Sequence, residues 1–278
     1  MLRWDAVAKF PARLHVLFAR SAPLGVIFRR GPSKSVCTIL WDRQHDRFDI
    51  GQWQHGRIYE RRTDLSPDGK YLIYFALSGD FTSETKGSWT AISRTPYLQA
   101  LVLLGKGDGW HGGGLFTGKR SYWLNDGYGH TLLRTSSEVT RDTEYKPSAY
   151  YGGECPGVYY LRLQRDGWQL RQELSDRDCA IFEKKLPNGF ILRKLAHAQV
   201  YAPPGKGCYW DEHELEHPQS GQRVSGANWE WADLDDRRLV FAEKGCLYQA
   251  KLTASEPIAA TLIADFNPLQ FTAIAAPY

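Results

Sequence analysis

Short apolar runs bounded by turn residues follow one another along most of this chain. We count roughly twenty of them, and runs of about four to eight residues between Gly, Pro, Asn or Asp are typical of β-strands. The stretch around residues 4–19 differs, because its pattern predicts a short helix. No composition break or flexible linker interrupts the chain. The sequence therefore predicts an all-β fold and a single domain over residues 1–278.

Three pairs of apolar runs flank strong turn signals, and each pair predicts a hairpin. In each case the turn contains a glycine, which relieves a strained backbone position between two strands. The pairs are 158–163 with 168–173, 180–185 with 190–195, and 239–242 with 247–251, around turns at 165–167, 186–189 and 244–245.

Two segments of the chain resemble each other. Residues 64–76 read DLSPDGKYLIYFA and residues 233–242 read DLDDRRLVFA. Each is an Asp-Leu, a polar turn, a basic residue and a strand that ends in an aromatic residue and Ala. They begin about 170 positions apart, which leaves room for four repeats of about 42 residues, near the period of propeller blades. The dipeptide Trp-Asp also recurs after apolar runs, at 41–42 and at 210–211.

The LSPDGKYLIYF segment resembles the strand-turn-strand signature of WD40 and TolB-type β-propeller blades, and TILWD at 38–42 resembles the end of a WD40 third strand. The Gly-His pair that usually opens a WD40 repeat is out of register, since Gly129-His130 stands alone. The resemblance implies a propeller-like architecture and no specific family. With four strands to a blade, the strand count predicts a β-propeller of about five, alternatively six, four-stranded antiparallel blades.

Composition narrows the class of protein. The chain has 10 Trp, 15 Tyr and 12 Phe against 1 Met, and this aromatic bias favours strands. The net charge of +4 comes from 35 basic and 31 acidic residues. The basic doublets are scattered, so we interpret them as solvated faces and do not expect a nucleic-acid partner. The doublets are Arg29-Arg30, Arg61-Arg62, Lys184-Lys185 and Arg237-Arg238.

The cysteines and the N-terminus indicate where the protein resides. The 5 cysteines are odd in number and none forms a CxxC pair, so they predict neither a disulfide framework nor a zinc site. Reduced thiols suit the cytoplasm. The N-terminus lacks the apolar core of a signal peptide, and no apolar stretch is long enough to cross a membrane. We therefore expect a cytoplasmic protein without a membrane partner.

Residues 213–217 read HELEH and match the HExxH motif of zinc proteases. In those enzymes a helix brings both His side chains to one zinc ion, with the Glu as general base. Here Trp210-Asp211 precedes the motif and Pro218 follows it, a context that predicts a strand entering a turn. On a strand the two His are about 13 Å apart, too far for one metal. We therefore predict no metal site and no cofactor.

The first candidate for binding is glycine-rich. Residues 105–114 read GKGDGWHGGG, which lacks the Walker pattern of phosphate-binding loops. One interpretation is a flexible loop between strands. The other is a binding loop with Trp110 and His111 exposed at its tip.

The second candidate, residues 144–156, contains Tyr150 and Tyr151 among small residues. Tyrosine among small residues is the composition of adaptable recognition surfaces. The alternative is that the aromatic rings pack on the rim of the propeller.

These observations predict a non-enzymatic binding module whose partner is another protein, a role that would suit a toxin-neutralising or effector-associated propeller. The expected binding residues are Trp110, His111, Tyr150 and Tyr151, with no catalytic residues: no GxSxG motif occurs, and adjacent carboxylates face opposite sides of a strand. The alternative is a propeller hydrolase or lyase that acts on a carbohydrate or lactone through the central channel. An enzyme would show Asp, Glu or His side chains converging at one channel mouth, and a binding module would show an aromatic surface patch.

Overall fold

A computed structural model describes residues 10–31, 34–172, 179–199, 201–202, 206–251 and 259–278. The regular structure in this part of the chain is almost entirely β, and its strands form five sheets in which nearly all pairs are antiparallel. The prediction of an all-β protein is confirmed at this level. No helix in the described residues is long and apolar enough to cross a membrane.

The first sheet is an antiparallel meander of four consecutive strands. Its last turn follows the first Trp-Asp dipeptide. The carboxylate of Asp42 accepts hydrogen bonds from the backbone N–H groups of Gln44 and His45, and Trp41 is buried with its indole N–H donated to Asp46. The strands are β1 (Arg13–Phe18), β2 (Leu24–Arg30), β3 (Ser35–Asp42) and β4 (Arg47–His55).

The helix predicted around residues 4–19 is wrong over its second half. Residues 1–9 lie outside the described residues, and Arg13–Phe18 form the strand β1. Four consecutive residues of β1, from Leu14 to Leu17, are buried, which means that both faces of the strand are covered. A continuous apolar run of this length has no period that distinguishes a buried strand from a buried helix.

The second and third sheets are interleaved along the chain. The second has the order β12-β9-β8-β7-β5, with β6 also on β7, and the third has the order β10-β11-β13, in which β11 and β13 are parallel. The strands are β5 (Arg57–Ile58), β6 (Asp64–Leu65), β7 (Tyr71–Leu77), β8 (Ser88–Arg94), β9 (Val102–Gly105), β10 (Gly114–Phe116), β11 (Ser121–Leu124), β12 (Thr131–Arg134) and β13 (Thr140–Arg141).

A helix replaces the first of the three predicted hairpins. The segment Cys155–Arg165 forms α1, with Pro156 in its first turn, where the missing N–H costs nothing. The Arg165-Asp166-Gly167 signal ends this helix instead of joining two strands: Gly167 has φ of +90° and donates its N–H to the carbonyl of Gln164. The run 158–163 has the sequence pattern of a buried strand, because α1 is buried on nearly all sides and shows no polar face of helical period.

The fourth and fifth sheets follow α1 as two further meanders. The predicted hairpins at 180–195 and 239–251 are confirmed as the pairs β15–β16 and β20–β21. The repeat segments at 64–76 and 233–242 both form strand-turn-strand units, β6–β7 and β19–β20. The strands are β14 (Gln169–Gln172), β15 (Cys179–Lys185), β16 (Ile191–Ala198), β17 (Tyr209–His217), β18 (Gln222–Gly226), β19 (Trp231–Asp235), β20 (Arg238–Glu243), β21 (Cys246–Lys251) and β22 (Ala260–Asp265).

Contacts between the sheets follow the order of the chain and return to its start. Strand β1 contacts β6, β6 contacts β10, and α1 contacts both β10 and β14. Strand β17 contacts β19, and β19 and β20 contact β1. The described sheets have 4, 6, 3, 5 and 4 strands, so the expectation of four strands per unit holds only for the first and the last.

Candidate functional site

The two candidate binding loops, residues 105–114 and 144–156, lie against each other. The backbone N–H of His111 donates to the carbonyl of Gly153, and the loops line a common cavity of 480 Å³. Three of the four residues predicted to bind line this cavity, and the fourth, Trp110, is 56% exposed beside it. We call it the rim cavity; its aromatic and polar lining includes His111, Trp123, Asn125, Tyr145, Tyr150 and Tyr151.

His111 is buried, and the expectation that it is exposed at the loop tip is wrong. Its side chain is 8% exposed, because the imidazole occupies space left by two glycines. A Cβ atom added at Gly127 or Gly153 would lie 2.2 Å or 2.4 Å from the ring. Burial, aided by the positive charges of Lys106 and Arg62, lowers the pKa of His111. The lowered pKa favours the neutral ring, and among the residues that the structure describes its Nδ1 atom has no hydrogen-bond partner.

The two adjacent tyrosines have different surroundings. Tyr150 is 80% exposed. Tyr151 packs its ring against Tyr160, with centroids 5.3 Å apart, and its hydroxyl accepts a hydrogen bond of 3.0 Å from the Gln164 amide. The exposure of Tyr150 fits the interpretation of this loop as a recognition surface. The contacts of Tyr151 fit the alternative, in which the aromatic ring packs against the protein.

The 105–114 loop is fixed by a buried arginine. Arg62 donates from Nη1 to the carbonyl of Gly109 at 2.7 Å and to that of His111 at 2.5 Å. The interpretation of the basic doublets as solvated faces is wrong for Arg29, Arg61 and Arg62, which are all buried. Each donates to backbone carbonyls, so the interior uses guanidinium groups to hold loops.

A second group of polar side chains lies in the interior, between β1, the turn before β6, α1 and the fourth sheet. Arg61 Nη2 is 2.7 Å from Asp211 Oδ1, and the Tyr159 hydroxyl donates to Asp211 Oδ2 at 2.6 Å. Lys194 Nζ is 3.9 Å from the same Oδ2 atom and 3.0 Å from His213 Nε2. We call this group the central cluster; its members, all buried, are His15, Arg61, Tyr159, Arg162, Lys194, Asp211 and His213.

Charge in the central cluster is set by burial and by close partners. Burial opposes ionisation of Asp211, but Arg61 and Lys194 overcome it and hold the pKa of this carboxyl well below its ordinary value. Burial, together with the charge of Lys194, lowers the pKa of His213 to about 3. The neutral imidazole donates from Nδ1 to the carbonyl of Trp229 at 2.9 Å and accepts from Lys194 at Nε2.

Two cavities meet at the central cluster. Arg13, Leu14 and His15 of β1 line one of 220 Å³, and the rest of the strand from His15 onward lines another of 490 Å³. His15 belongs to both. Because successive residues advance along a strand, the two cavities lie toward opposite ends of β1, with the central cluster between them. We call them the small and the large interior cavity.

The HExxH segment lies on strand β17, as predicted. Its two His side chains have separate partners: His213 contacts Lys194, whereas His217 Nδ1 is 2.9 Å from the Ser220 hydroxyl. The described residues contain no group of three or more His, Cys, Asp or Glu side chains placed to hold a metal ion.

Glu230 lines the small interior cavity and is expected to make stability depend on pH. Its Oε2 atom accepts from the N–H of Leu14 at 2.8 Å, and burial raises the pKa of Glu230 to about 7. Between the ordinary value of about 4.5 and 7 the folded protein holds a proton that the unfolded chain releases, so folding stability falls as the pH rises through this window. The stability lost across this window is about 2 kcal/mol after allowance for partial screening. Glu230→Gln cannot ionise, so this pH-dependent loss should be absent in the variant.

Urea unfolding between pH 5 and 8 measures the effect as a difference between wild type and variant. The control is Glu84→Gln, because Glu84 is exposed and its substitution should leave the pH profile unchanged. Parallel profiles for wild type and Glu230→Gln would contradict the prediction.

Comparisons with known proteins assign no family. No family model matches the chain, and no curated protein matches it. Several similar solved structures are β-propeller-like at low TM-score. The chain is similar to an uncharacterized protein from Listeria monocytogenes EGD-e, with 8% identity, TM-score 0.27 and coverage of 89% of this chain and 64% of that one. This chain thus spans less than two thirds of the Listeria protein.

Two further solved structures are similar at the same level. One is the hydrazine synthase of Kuenenia stuttgartiensis, with 8% identity, TM-score 0.28 and coverage of 90% of this chain and 80% of that one. The other is a chain of the Mitotic Checkpoint Complex, with 11% identity, TM-score 0.26 and coverage of 98% and 89%. Similarity at these identities and TM-scores assigns no activity or partner to this chain.

Proposed function

We propose that this chain is a protein-binding module whose recognition surface surrounds the rim cavity. The observation that carries the proposal is that the loops at 105–114 and 144–156, the first with Trp110 and His111 and the second with Tyr145, Tyr150 and Tyr151, meet at one cavity of 480 Å³. Trp110 and Tyr150 are exposed on either loop, and Tyr128 adds a third exposed ring. Aromatic anchors around a pocket are the arrangement in which interface hot spots concentrate.

The cavity suits one inserted side chain of a partner. Its walls combine the rings of Trp123 and Tyr145, whose centroids are 5.8 Å apart, with the buried imidazole of His111. The Nδ1 atom of His111 is buried and has no hydrogen-bond partner in the described part of the chain. A buried polar atom of this kind gains from any hydrogen bond that a binding partner supplies. A partner residue with an apolar body and a polar tip therefore fits this site.

The proposal includes the architecture that holds the loops. We infer that the five sheets are blades of one β-propeller over residues 1–278, with α1 beside the third. The return of inter-sheet contacts from the fifth sheet to β1 supports this arrangement. A cytoplasmic setting is part of the proposal, and an odd number of cysteines with no pair at CxxC spacing suits a reducing compartment.

Trp110→Ala combined with Tyr150→Ala is expected to weaken partner binding by at least about 30-fold, since the truncation of even one hot spot costs about 2 kcal/mol. Both side chains are largely exposed, so the melting temperature should change little. The matched control is Tyr201→Ala, another exposed aromatic residue, which does not line the rim cavity.

The three proteins would serve as baits for quantitative affinity capture from the native source, followed by calorimetric titration of the recovered partner. A protein captured by wild type and by Tyr201→Ala, but depleted with the double variant, supports the proposal. Equal affinity of that partner for all three baits would place recognition elsewhere.

The enzyme alternative depends on the carboxylates of the small interior cavity. Glu60 is 3.1 Å from Arg30, and Asp211 is held by Arg61 and Tyr159, so two of the three carboxylates are engaged in ion pairs. Carboxylates held in ion pairs are poorly placed to transfer protons, which favours binding over acid–base chemistry. Hydrolysis of a carbohydrate or lactone by the wild type, abolished in Glu230→Gln, would instead support the enzyme.

A further inference from the structure

The central cluster contains more cations than anions. Its cations are Arg61, Arg162 and Lys194, and its one carboxylate is that of Asp211. Arg61 and Lys194 lie 2.7 Å and 3.9 Å from this carboxylate, whereas Arg162 donates to the carbonyl of Thr63. The remaining members are neutral: burial, followed by the charge of Arg162, lowers the pKa of His15. Buried charges are costly unless a counter-charge or strong hydrogen bonds satisfy them. The cluster thus has two positive charges without a carboxylate of their own.

The two titratable groups beside Asp211 do not change this balance. Burial, and next the charge of Asp211, raises the pKa of Tyr159 well above its ordinary value, so its hydroxyl is protonated. Burial lowers the pKa of Lys194 to about 8, which leaves the ammonium group largely protonated at pH 7.

The excess charge faces the large interior cavity. Arg162 and Lys194 both line it. In the described part of the chain Arg162 forms no ion pair with a carboxylate; it donates instead to His15 Nε2 and to the carbonyls of Glu60 and Thr63.

Arg20 adds a third cation at the edge of this cavity. It is exposed and donates to the carbonyl of Phe116 at 3.0 Å, again without a carboxylate among the described residues. The other charged side chains of the lining are already paired: Arg165 with Asp64 and Asp166, Lys184 with Asp233, and Arg43 with Asp235. Among the described residues, the cations of the lining without an ion pair are therefore Arg162, which is buried, and Arg20, which is exposed at the edge. Lys194 lies 3.9 Å from Asp211 and also lines the cavity.

The walls of the large interior cavity suit a small organic molecule. Its volume of 490 Å³ lies in the range of small-molecule sites, about 300–1,000 Å³. Trp168 lies between two lysines, with Lys194 Nζ at 4.8 Å and Lys184 Nζ at 5.0 Å from its ring. The remaining apolar lining includes Leu17, Phe18, Leu163, Trp231 and Leu234.

We propose that the large interior cavity binds a small organic anion that carries a carboxylate or phosphate group, with Arg162, Lys194 and Arg20 as its counter-charges. A guanidinium group offers two parallel N–H donors to either anion, and an ammonium group adds a point charge. The apolar wall formed by Trp168 and its neighbours would contact the carbon skeleton. The small interior cavity suits an anion less, because three carboxylates line it, those of Glu60, Asp211 and Glu230. The two carboxylates that line the large interior cavity, Asp166 and Asp233, are both paired, with Arg165 and Lys184.

The test uses the full chain at pH 7 and constant ionic strength. Citrate and phenyl phosphate are titrated by calorimetry, and thermal unfolding is followed at each concentration, with chloride as the reference anion. Binding to the folded state alone raises the melting temperature with ligand concentration. We expect saturable binding of at least one probe: citrate alone identifies a carboxylate ligand, and phenyl phosphate alone identifies a phosphate ester.

Two variants locate the site. Lys194→Met and Arg20→Gln are each expected to weaken binding by about tenfold or more, the loss of one charge-assisted hydrogen bond. Arg20 is exposed, so Arg20→Gln keeps the test valid even if Lys194→Met fails to fold. Lys244→Met, which removes the same charge from an exposed turn, is the matched control and should bind like wild type. No saturable binding beyond chloride, or equal binding by Arg20→Gln and wild type, would overturn the proposal.

Discussion

Asp211→Asn is expected to lower the free energy of unfolding by about 3–5 kcal/mol, the cost of removing one partner from a buried ion pair. The amide keeps the size of the carboxylate, so packing is retained while the counter-charge of Arg61, at 2.7 Å, is lost. Lys194 loses the same counter-charge at 3.9 Å. Three buried cations would then have no anion in the central cluster.

Urea or guanidinium unfolding at pH 7 measures this loss. Asp49→Asn is the control, because Asp49 is exposed on β4 and its substitution should change stability by less than about 0.5 kcal/mol. In the background of Lys194→Met the cost of Asp211→Asn should be smaller, since one fewer cation is left uncompensated. A loss below about 1 kcal/mol in the wild-type background would mean that Asp211 does not neutralise the cluster.

Gly113→Ala is expected to destabilise the protein by about 3 kcal/mol or more, through strain and collision together. Gly113 has φ of +71°, and a Cβ atom there would lie 1.9 Å from the carbonyl oxygen of Arg62. Because this neighbour is backbone, it cannot move aside like a flexible side chain. The N–H of Gly113 also donates to Thr90 Oγ1 at 2.9 Å, so the loop cannot shift without losing that bond.

Gly109→Ala, in the same loop, is the matched control. Nothing lies within 4 Å of a Cβ atom at Gly109, so its stability should stay within about 0.5 kcal/mol of wild type. Chemical unfolding of both variants gives the comparison. Equal stability of Gly113→Ala and Gly109→Ala would show that the loop is not fixed against Arg62.

Strands and turns could be predicted from the sequence wherever a glycine-containing turn lies between two short apolar runs that are neighbours in the chain. The turns at 186–189 and 244–245 contain glycines that take positive φ, at Gly189 and Gly245, and a glycine in a short apolar hairpin indicates its turn directly. The same type of signal failed at Gly167, because a glycine with positive φ also ends a helix. Whether the preceding run is strand or helix then depends on what covers it, which only the tertiary structure determines.

The rim loops could be found from the sequence, but the central cluster could not. Trp110 and Tyr150 stand out by composition alone, as aromatic residues among glycines and other small residues. By contrast, Arg61 and Asp211 are 150 positions apart, and each looks like an ordinary surface residue in its own segment. An arginine is buried as a counter-ion only where a carboxylate from a distant part of the chain pairs with it. The local sequence around either residue therefore does not indicate the pairing.

Arg61 and Arg62 are consecutive residues, yet one binds Asp211 and the other binds the carbonyls of Gly109 and His111. The same three-residue 3-10 turn, Glu60–Arg62, therefore supports both the interior and the rim. A designer who transplants the 105–114 loop onto another scaffold would have to transplant this turn as well. Without the turn, the grafted loop would lack the guanidinium that fixes its shape and would present Trp110 in no defined position.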